Sequence, residues 1–185
     1  FKTGSESVMV MIDGIEVQMK PNHPVESVKD EILENFIKDL NELSKNGDEK
    51  MQDLLQELFP GHMQGDIYDL PTEAQREYVK RDLGLANQNY FDRDNLDIEE
   101  LKKFARFDEN SKSAEYPDGS TEAVTARQPR MIHGMAFYGL EGNVYERIKD
   151  WYSNSLSGGV DPKGPPSGSR KVKLGGSWNS SAEQL

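Results

Sequence analysis

Residues 164–178 carry the pattern that decides the fold, and they read Gly164-Pro165-Pro166-Ser167-Gly168-Ser169-Arg170-Lys171-Val172-Lys173-Leu174-Gly175-Gly176-Ser177-Trp178. Ser153 to Ser169 is rich in glycine, proline and serine, which predicts a loop because these residues favour turns. Arg170 to Leu174 then predicts a strand, and this strand enters the Gly-Gly-Ser-Trp segment.

Two more blocks stand upstream of this one. The first is Leu70-Pro71-Thr72-Glu73-Ala74-Gln75-Arg76-Glu77-Tyr78. Thr72 can cap a helix that runs to about Asp82, Gln75 can reach back to the cap, and Glu73 complements the helix dipole. The second block is Gly142-Asn143-Val144-Tyr145-Glu146, followed by Asp150-Trp151-Tyr152.

The rest of the chain predicts a mixture of helices, short strands and loops. Val8 to Met19 is typical of a hairpin that turns at Asp13-Gly14. Ser27 is a candidate N-cap for a helix that ends near Asn46-Gly47. The other predicted segments are helices at Asp48 to Phe59 and Asn95 to Phe107, a loop from Asp108 to Gln128, and an aromatic core stretch from Met135 to Tyr152.

The three blocks, in this order and preceded by Asn22-His23-Pro24-Val25, resemble the formylglycine-generating enzyme family, also called sulfatase-modifying factors. The family's versions are Leu-Pro-Thr-Glu-Ala-Glu-Trp-Glu-Tyr, Gly-Asn-Val-Trp-Glu and Gly-Gly-Ser-Trp. The resemblance implies an α+β, C-type-lectin-like fold with short strands and much irregular structure. It implies one domain over 1–185 with a helical insertion at about 48–66. Because family domains continue well past Gly-Gly-Ser-Trp, we expect a C-terminally incomplete domain without the family's final strands.

The family's enzymes bind copper through two cysteines that follow the Gly-Gly-Ser segment. On this chain the resemblance puts Ser180 and Leu185 at those positions, and the chain contains no cysteine. Copper(I) requires soft thiolate ligands, which a hydroxyl and an isobutyl group cannot replace. We therefore predict no catalytic residues and no sulfatase-modifying activity.

The resemblance also raises the question of iron and calcium sites. A related iron-dependent branch uses three histidines, whereas His23, His62 and His133 are far apart in the sequence. The family's structural calcium sites imply Gly142, Val144 and Glu146 as ligands. Gly139, where the family usually has Asp or Asn, removes one oxygen from that set. Alternatively, Glu146 pairs with a cation such as Arg147. We expect no cofactor, with calcium the open possibility.

A lectin-like face would place recognition residues on loops. The candidates for ligand binding are Trp151, Tyr152, Ser177, Trp178 and Asn179. The alternative is that these aromatic side chains belong to the core. In one group of family receptors the hypervariable segment follows Gly-Gly-Ser-Trp, which here would begin at Asn179.

The composition limits the partners. The net charge of −11 and the absence of a basic stripe argue against nucleic acid. No apolar run is long enough to span a membrane. We expect a non-catalytic binding or scaffolding protein with a protein partner or surface ligand, as in the family's bacterial surface lipoproteins. The resemblance favours a periplasmic, envelope or extracellular location.

Two alternatives remain for the function. The first is a subunit of a larger secretion, motility or phage-type assembly, in which Leu54, Leu55, Leu58 and Phe59 form a docking stripe. The other interpretation of these four residues is that they pack on their own domain. The second is a diverged enzyme that keeps Ser177 and Ser180 as remnants of its site.

Overall fold

The computed structural model describes residues 8–12, 15–19, 22–81, 97–155 and 158–185. Within these ranges five α-helices, one short 3-10 helix (Ala182–Gln184) and six short strands are joined by long irregular segments. The helices are α1 (Asp30–Asn46), α2 (Glu49–Leu58), α3 (Glu73–Lys80), α4 (Ile98–Leu101) and α5 (Asp108–Ser111). The strands are β1 (Val8–Ile12), β2 (Ile15–Met19), β3 (Arg130–Ile132), β4 (Met135–Phe137), β5 (Glu146–Trp151) and β6 (Lys171–Leu174).

The described strands pair as three separate antiparallel hairpins, β1–β2, β3–β4 and β5–β6. In the first, Ile12 pairs with Ile15, which confirms the predicted hairpin; its turn at 13–14 lies outside the described residues. In the third, Glu146 pairs with Leu174 and Trp151 with Lys171, and an irregularity in register lies between them. The predicted strand before Gly-Gly-Ser-Trp is thereby confirmed as β6.

Local capping signals begin two of the helices. Thr72 accepts a hydrogen bond from the backbone N–H of Gln75, and the Gln75 side chain accepts one from the N–H of Thr72. This capping box satisfies two donors that the first turn of α3 would otherwise leave free. Asp48 caps α2 in the same way through the N–H of Met51. The predicted starts of both helices are confirmed.

Three of the expectations for helices and loops are wrong. Ser27 has a φ of +59° and does not cap α1, which follows Lys29 without any side-chain cap. The start of the predicted Asn95 to Phe107 helix lies outside the described residues, and from Asp97 onward the α-helix is one turn, α4, capped by Asp97 through the N–H groups of Glu99 and Glu100. A further turn, α5, interrupts the predicted loop after Asp108.

The expectation of an aromatic core between Met135 and Tyr152 is also wrong. Tyr138, Tyr145 and Tyr152 are exposed, whereas Leu140 and Ile148 are buried. The hydrophobic cluster lies elsewhere and consists of Leu101, Ala105, Phe107, Ala182 and Leu185. Its one aromatic member, Phe107, comes from outside the stretch predicted to form the core.

The chain divides into two compact units. The larger comprises Phe1–Pro24 with Pro71–Leu185, and the smaller, here called the helical unit, is Val25–Leu70. The helical unit contains α1 and α2, and its buried apolar side chains are Leu40 and Leu55. The insertion predicted at about 48–66 falls inside this unit. The prediction of one domain over 1–185 stays a prediction.

Candidate functional site

Ser180 is buried inside a hydrogen-bond network. Its hydroxyl accepts from the backbone N–H of Ser177 at 3.0 Å and lies 3.2 Å from the hydroxyl of Tyr145. Its backbone carbonyl accepts from the N–H of Asp108 at 3.0 Å. The Ser180 side chain therefore holds the Gly-Gly-Ser-Trp turn together.

Leu185 lies in the apolar cluster of the larger unit and is 7% exposed. It packs closely on Gly176, since a Cβ added to Gly176 would lie 2.5 Å from Leu185 Cδ2. The same added atom would lie 3.4 Å from Ser180 Cβ. The two positions that the resemblance assigns to copper ligands thus lie beside one glycine, where they carry an alcohol and a hydrocarbon.

Ser177, Trp178 and Asn179 surround this turn. The Ser177 hydroxyl donates to Asn179 Oδ1 at 2.7 Å, and the Trp178 backbone N–H donates to the carbonyl of Asn143 at 3.0 Å. The Trp178 ring lies against Gly119, because a Cβ there would lie 2.8 Å from Trp178 Cε3. Trp178 is half-buried, and Asn179 is exposed.

Trp151 and Tyr152 lie at the opposite end of the β5–β6 hairpin. The strand from Glu146 to Trp151 separates the two ends by roughly 16 Å. Lys171 Nζ lies 4.2 Å from the centre of the Trp151 ring, and the Arg170 guanidinium lies 5.6 Å from that of Tyr152. The five residues predicted to bind ligand therefore form two groups.

Glu146 accepts a hydrogen bond from Arg76, which also donates to the backbone carbonyl of Leu140. Arg76 is 5% exposed, on the buried side of α3. Burial raises the pKa of the Glu146 carboxyl, and the charge and hydrogen bond of Arg76 partly offset that rise. The cation expected beside Glu146 is present, but it is Arg76 and not Arg147.

Gly142 and Asn143 are held by backbone contacts. Gly142 N–H donates to the carbonyl of Gly175 at 2.6 Å, and Asn143 N–H donates to that of Arg106 at 2.6 Å. The Asn143 side chain bonds both backbone groups of Glu122 at 3.0 Å. Sequence reasoning gave Asn143 no role, although an asparagine directly after a glycine is a turn signal that the sequence itself shows.

Asp150 is a second residue whose role sequence reasoning missed. Its carboxylate accepts from the N–H of Glu73 at 2.6 Å and from that of Gly164 at 2.7 Å. It thereby joins the first turn of α3 to the loop before β6. Burial, together with the charges of Asp150 and Glu77, raises the pKa of Glu73.

An open cleft borders the Gly-Gly-Ser-Trp turn. Its lining includes Tyr145, Gly176, Leu185, Arg76, Lys80 and Lys173. The Arg76 guanidinium is bound to Glu146, and Lys80 Nζ donates to the backbone oxygen of Leu185 at 3.1 Å. Two of the three cations in the cleft are therefore already bound to protein oxygens.

In the described part of the chain, no three histidine or acidic side chains gather closely enough to hold a metal ion. His23 lies 3.3 Å from the Thr121 hydroxyl, His62 is buried in the helical unit, and His133 is in the β3–β4 turn. Nor does any described helix have the length and apolar character needed to cross a membrane.

These features define an α+β domain of C-type-lectin-like fold, with short hairpins and long irregular segments around a Gly-Gly-Ser-Trp turn. Residues 4–185 match the family described as sulfatase-modifying factor enzyme 1-like domain, and the chain belongs to that family.

The relatives include characterised enzymes. The chain is 36% identical over 119 residues to the formylglycine-generating enzyme of Bos taurus, a match that covers 59% of this chain and 29% of the enzyme. It is 36% identical over 120 residues to that of Streptomyces coelicolor, over 59% of this chain and 35% of the enzyme. The chain thus spans about a third of these relatives' length.

Among solved structures, Treponema denticola variable protein 1 is similar, with 33% identity and a TM-score of 0.49. The match covers 63% of this chain and 38% of that chain.

Proposed function

We propose that this chain is a non-catalytic binding or scaffolding protein built on a formylglycine-generating-enzyme-like domain. The observation that carries the proposal is the pair Ser180 and Leu185 beside Gly176. Ser180 binds Ser177 and Tyr145, and Leu185 belongs to the apolar cluster. Neither side chain supplies a thiolate, and these 185 residues contain none.

Ser177 and Ser180 also have no general base among the groups that bind their hydroxyls, and acyl or group transfer by a serine would need one. A serine becomes nucleophilic when an adjacent base removes its proton. The Ser177 hydroxyl donates to the Asn179 amide oxygen, and the Ser180 hydroxyl faces Tyr145 and Ser177. None of these groups is a general base at neutral pH. The geometry therefore favours a structural turn over a diverged active site.

The helical unit supplies a surface on which a partner can bind. It carries twelve acidic and four basic residues, a net charge of −8 out of the chain's −11. Several large apolar side chains are nevertheless exposed on it, namely Ile32, Phe36, Leu43, Leu54, Leu58 and Phe59. Of the predicted docking stripe, only Leu55 is buried, at 2% exposure.

The chemistry of this surface favours one class of partner. Ile32, Phe36 and Leu43 recur at four- and seven-residue spacing, so they share one face of α1. An apolar face on a unit of this negative charge complements a protein segment whose apolar side chains are flanked by lysine or arginine. We propose that such a basic amphipathic segment of another protein binds here, which also fits a subunit of a larger assembly. By family resemblance the site of action is the bacterial envelope or surface.

Copper(I) binding tests the non-catalytic proposal. The purified chain is equilibrated anaerobically with copper(I) and a competing chelator, and the retained metal is measured by mass spectrometry. We expect no stoichiometric copper on the natural sequence, and copper on the double variant Ser180→Cys/Leu185→Cys. Copper retained by the natural sequence would overturn the proposal and favour a diverged enzyme.

A further inference from the structure

The family resemblance implies a calcium ion in the loop that precedes β5, and the residues present do not fit one. A calcium ion needs six to eight oxygen ligands. The carboxylate of Glu146 is bound by Arg76, and so is the carbonyl of Leu140. Gly139 contributes no side-chain oxygen, and the neighbouring Glu141 pairs with Arg130 at 2.9 Å.

Arg76 brings a fixed positive charge to the place where these oxygens meet. Its Nη2 would lie 3.7 Å from a Cβ added to Gly175, and Glu146 Oε2 would lie 3.8 Å from the same atom. A divalent cation entering there would be repelled by the guanidinium and would have to displace it. A displaced, buried guanidinium would lose its partner, which is strongly unfavourable.

Two residues of this chain, Arg76 and Gly139, differ from the family pattern, and the geometry around Glu146 explains both differences. Arg76 stands where the family's first block has tryptophan, and Gly139 stands where the family usually has an acid or amide. The first change supplies a cation from α3, and the second removes an oxygen that a metal would need. Both changes favour a cationic side chain of the protein itself over a bound metal ion.

We infer that the Arg76 guanidinium takes the place of the structural calcium ion, so that residues 139–146 keep their conformation without metal. The fork of N–H donors suits this position, because one nitrogen binds the carboxylate and another the carbonyl. The inference does not depend on whether the protein is catalytic.

The test compares thermal unfolding of the natural sequence in excess calcium chloride and in EDTA. We expect the same melting temperature in both. A higher melting temperature in calcium that disappears in Glu146→Gln would overturn the inference. A calcium response that Glu146→Gln retains would arise at other residues, and leaves this loop calcium-independent as inferred.

Three variants locate the effect on Arg76. Arg76→Ala should lower the melting temperature. Arg76→Lys keeps the charge but not the fork of N–H donors, so its melting temperature should lie between those of Arg76→Ala and the natural sequence. The matched control is Arg81→Ala at the C-terminal end of α3, because Arg81 pairs with Glu77 only at the surface. Equal melting temperatures for Arg76→Ala and Arg81→Ala would also contradict the inference.

Discussion

Ser180 and Leu185 both lie beside Gly176, each close enough to contact a side chain at that position. Gly176 has a φ of +69°, in the left-handed region that favours glycine. The turn therefore depends on a residue without Cβ for two separate reasons, its backbone conformation and the space that Leu185 occupies.

Gly176→Ala should destabilise the larger unit by about 2–4 kcal/mol, because positive φ and overpacking each cost about 1–2 kcal/mol. The matched control is Gly134→Ala, where φ is +79° but nothing lies within 4 Å of the added Cβ. That variant should lose only the backbone contribution. Urea unfolding measures the free energy of unfolding of both variants. Equal losses of stability would show that Leu185 does not pack on Gly176 as described.

The helical unit depends on the buried side chain of His62. Its Nε2 lies 3.0 Å from Gln52 Oε1 and its Nδ1 lies 2.7 Å from the Tyr68 hydroxyl. Because the Gln52 amide nitrogen donates to backbone carbonyls, its oxygen accepts from His62 Nε2. The His62 ring therefore binds two side chains of the helical unit at once.

His62→Phe should destabilise the protein by about 1–3 kcal/mol, since it leaves the Gln52 oxygen and the Tyr68 hydroxyl without this partner. Met63→Ala is the control, because Met63 is 68% exposed and should have almost no effect. Chemical denaturation followed by circular dichroism at the helical band compares the two. Similar stabilities for both variants would refute the role assigned to His62.

Glu73 gives a prediction about pH. Its pKa is raised by burial and by Asp150 and Glu77, so the folded state favours the protonated carboxyl. The stability it contributes is present below its ordinary pKa and is lost as the pH rises through the raised value. Glu73→Gln, which cannot ionise, should therefore stabilise the protein at pH 7 by about 0.5 kcal/mol and by less at pH 5.5.

Thermal unfolding across this pH range checks the prediction for Glu73. The control is Glu57→Gln, at an exposed glutamate on α2, which removes one carboxylate outside the surroundings of Asp150 and Glu77. A stabilisation by Glu73→Gln that stays constant or shrinks as the pH rises would contradict the assigned cause.

The fold was predictable from sequence wherever the determinants are local. Thr72 with Gln75, and Asp48 before α2, lie within three residues of the groups they bind, so their patterns are visible in the chain itself. Ser27 shows the limit of that reasoning. Its residue type suits a cap, but its left-handed backbone prevents the helix from beginning there.

The candidate site was less predictable, because its contacts join distant parts of the chain. Arg76 and Glu146 are 70 residues apart, and Glu73 and Asp150 are 77 apart. The sequence pointed to Glu146 and to an arginine partner, but it suggested Arg147. In an extended strand, side chains next to each other point to opposite faces, so Arg147 and Glu146 are poorly placed to pair.

The proposed docking surface is tested with a designed peptide. A helical peptide of leucine and lysine should bind the natural sequence, whereas a leucine and glutamate peptide of equal length should not. Phe36→Asp with Leu43→Asp should weaken binding of the first peptide at least tenfold, while Tyr138→Ser, at an exposed tyrosine of the larger unit, should not change it. Fluorescence anisotropy measures each affinity.

Two outcomes would contradict the proposal that a basic segment of another protein binds this surface. Equal binding of both peptides would remove the role of charge. Self-association in sedimentation velocity, abolished by the Phe36→Asp and Leu43→Asp changes, would show that a second copy of this chain is the occupant instead.

The most direct test of the central claim is turnover of a sulfatase-derived cysteine peptide by the purified chain with copper and oxygen, followed by mass spectrometry. A formylglycine-generating enzyme assayed in parallel serves as the positive control. Because Ser180 and Leu185 offer no thiolate, we predict that the peptide keeps its cysteine and that no aldehyde forms above the level of a heat-denatured sample. Copper-dependent aldehyde formation over several turnovers would contradict the account.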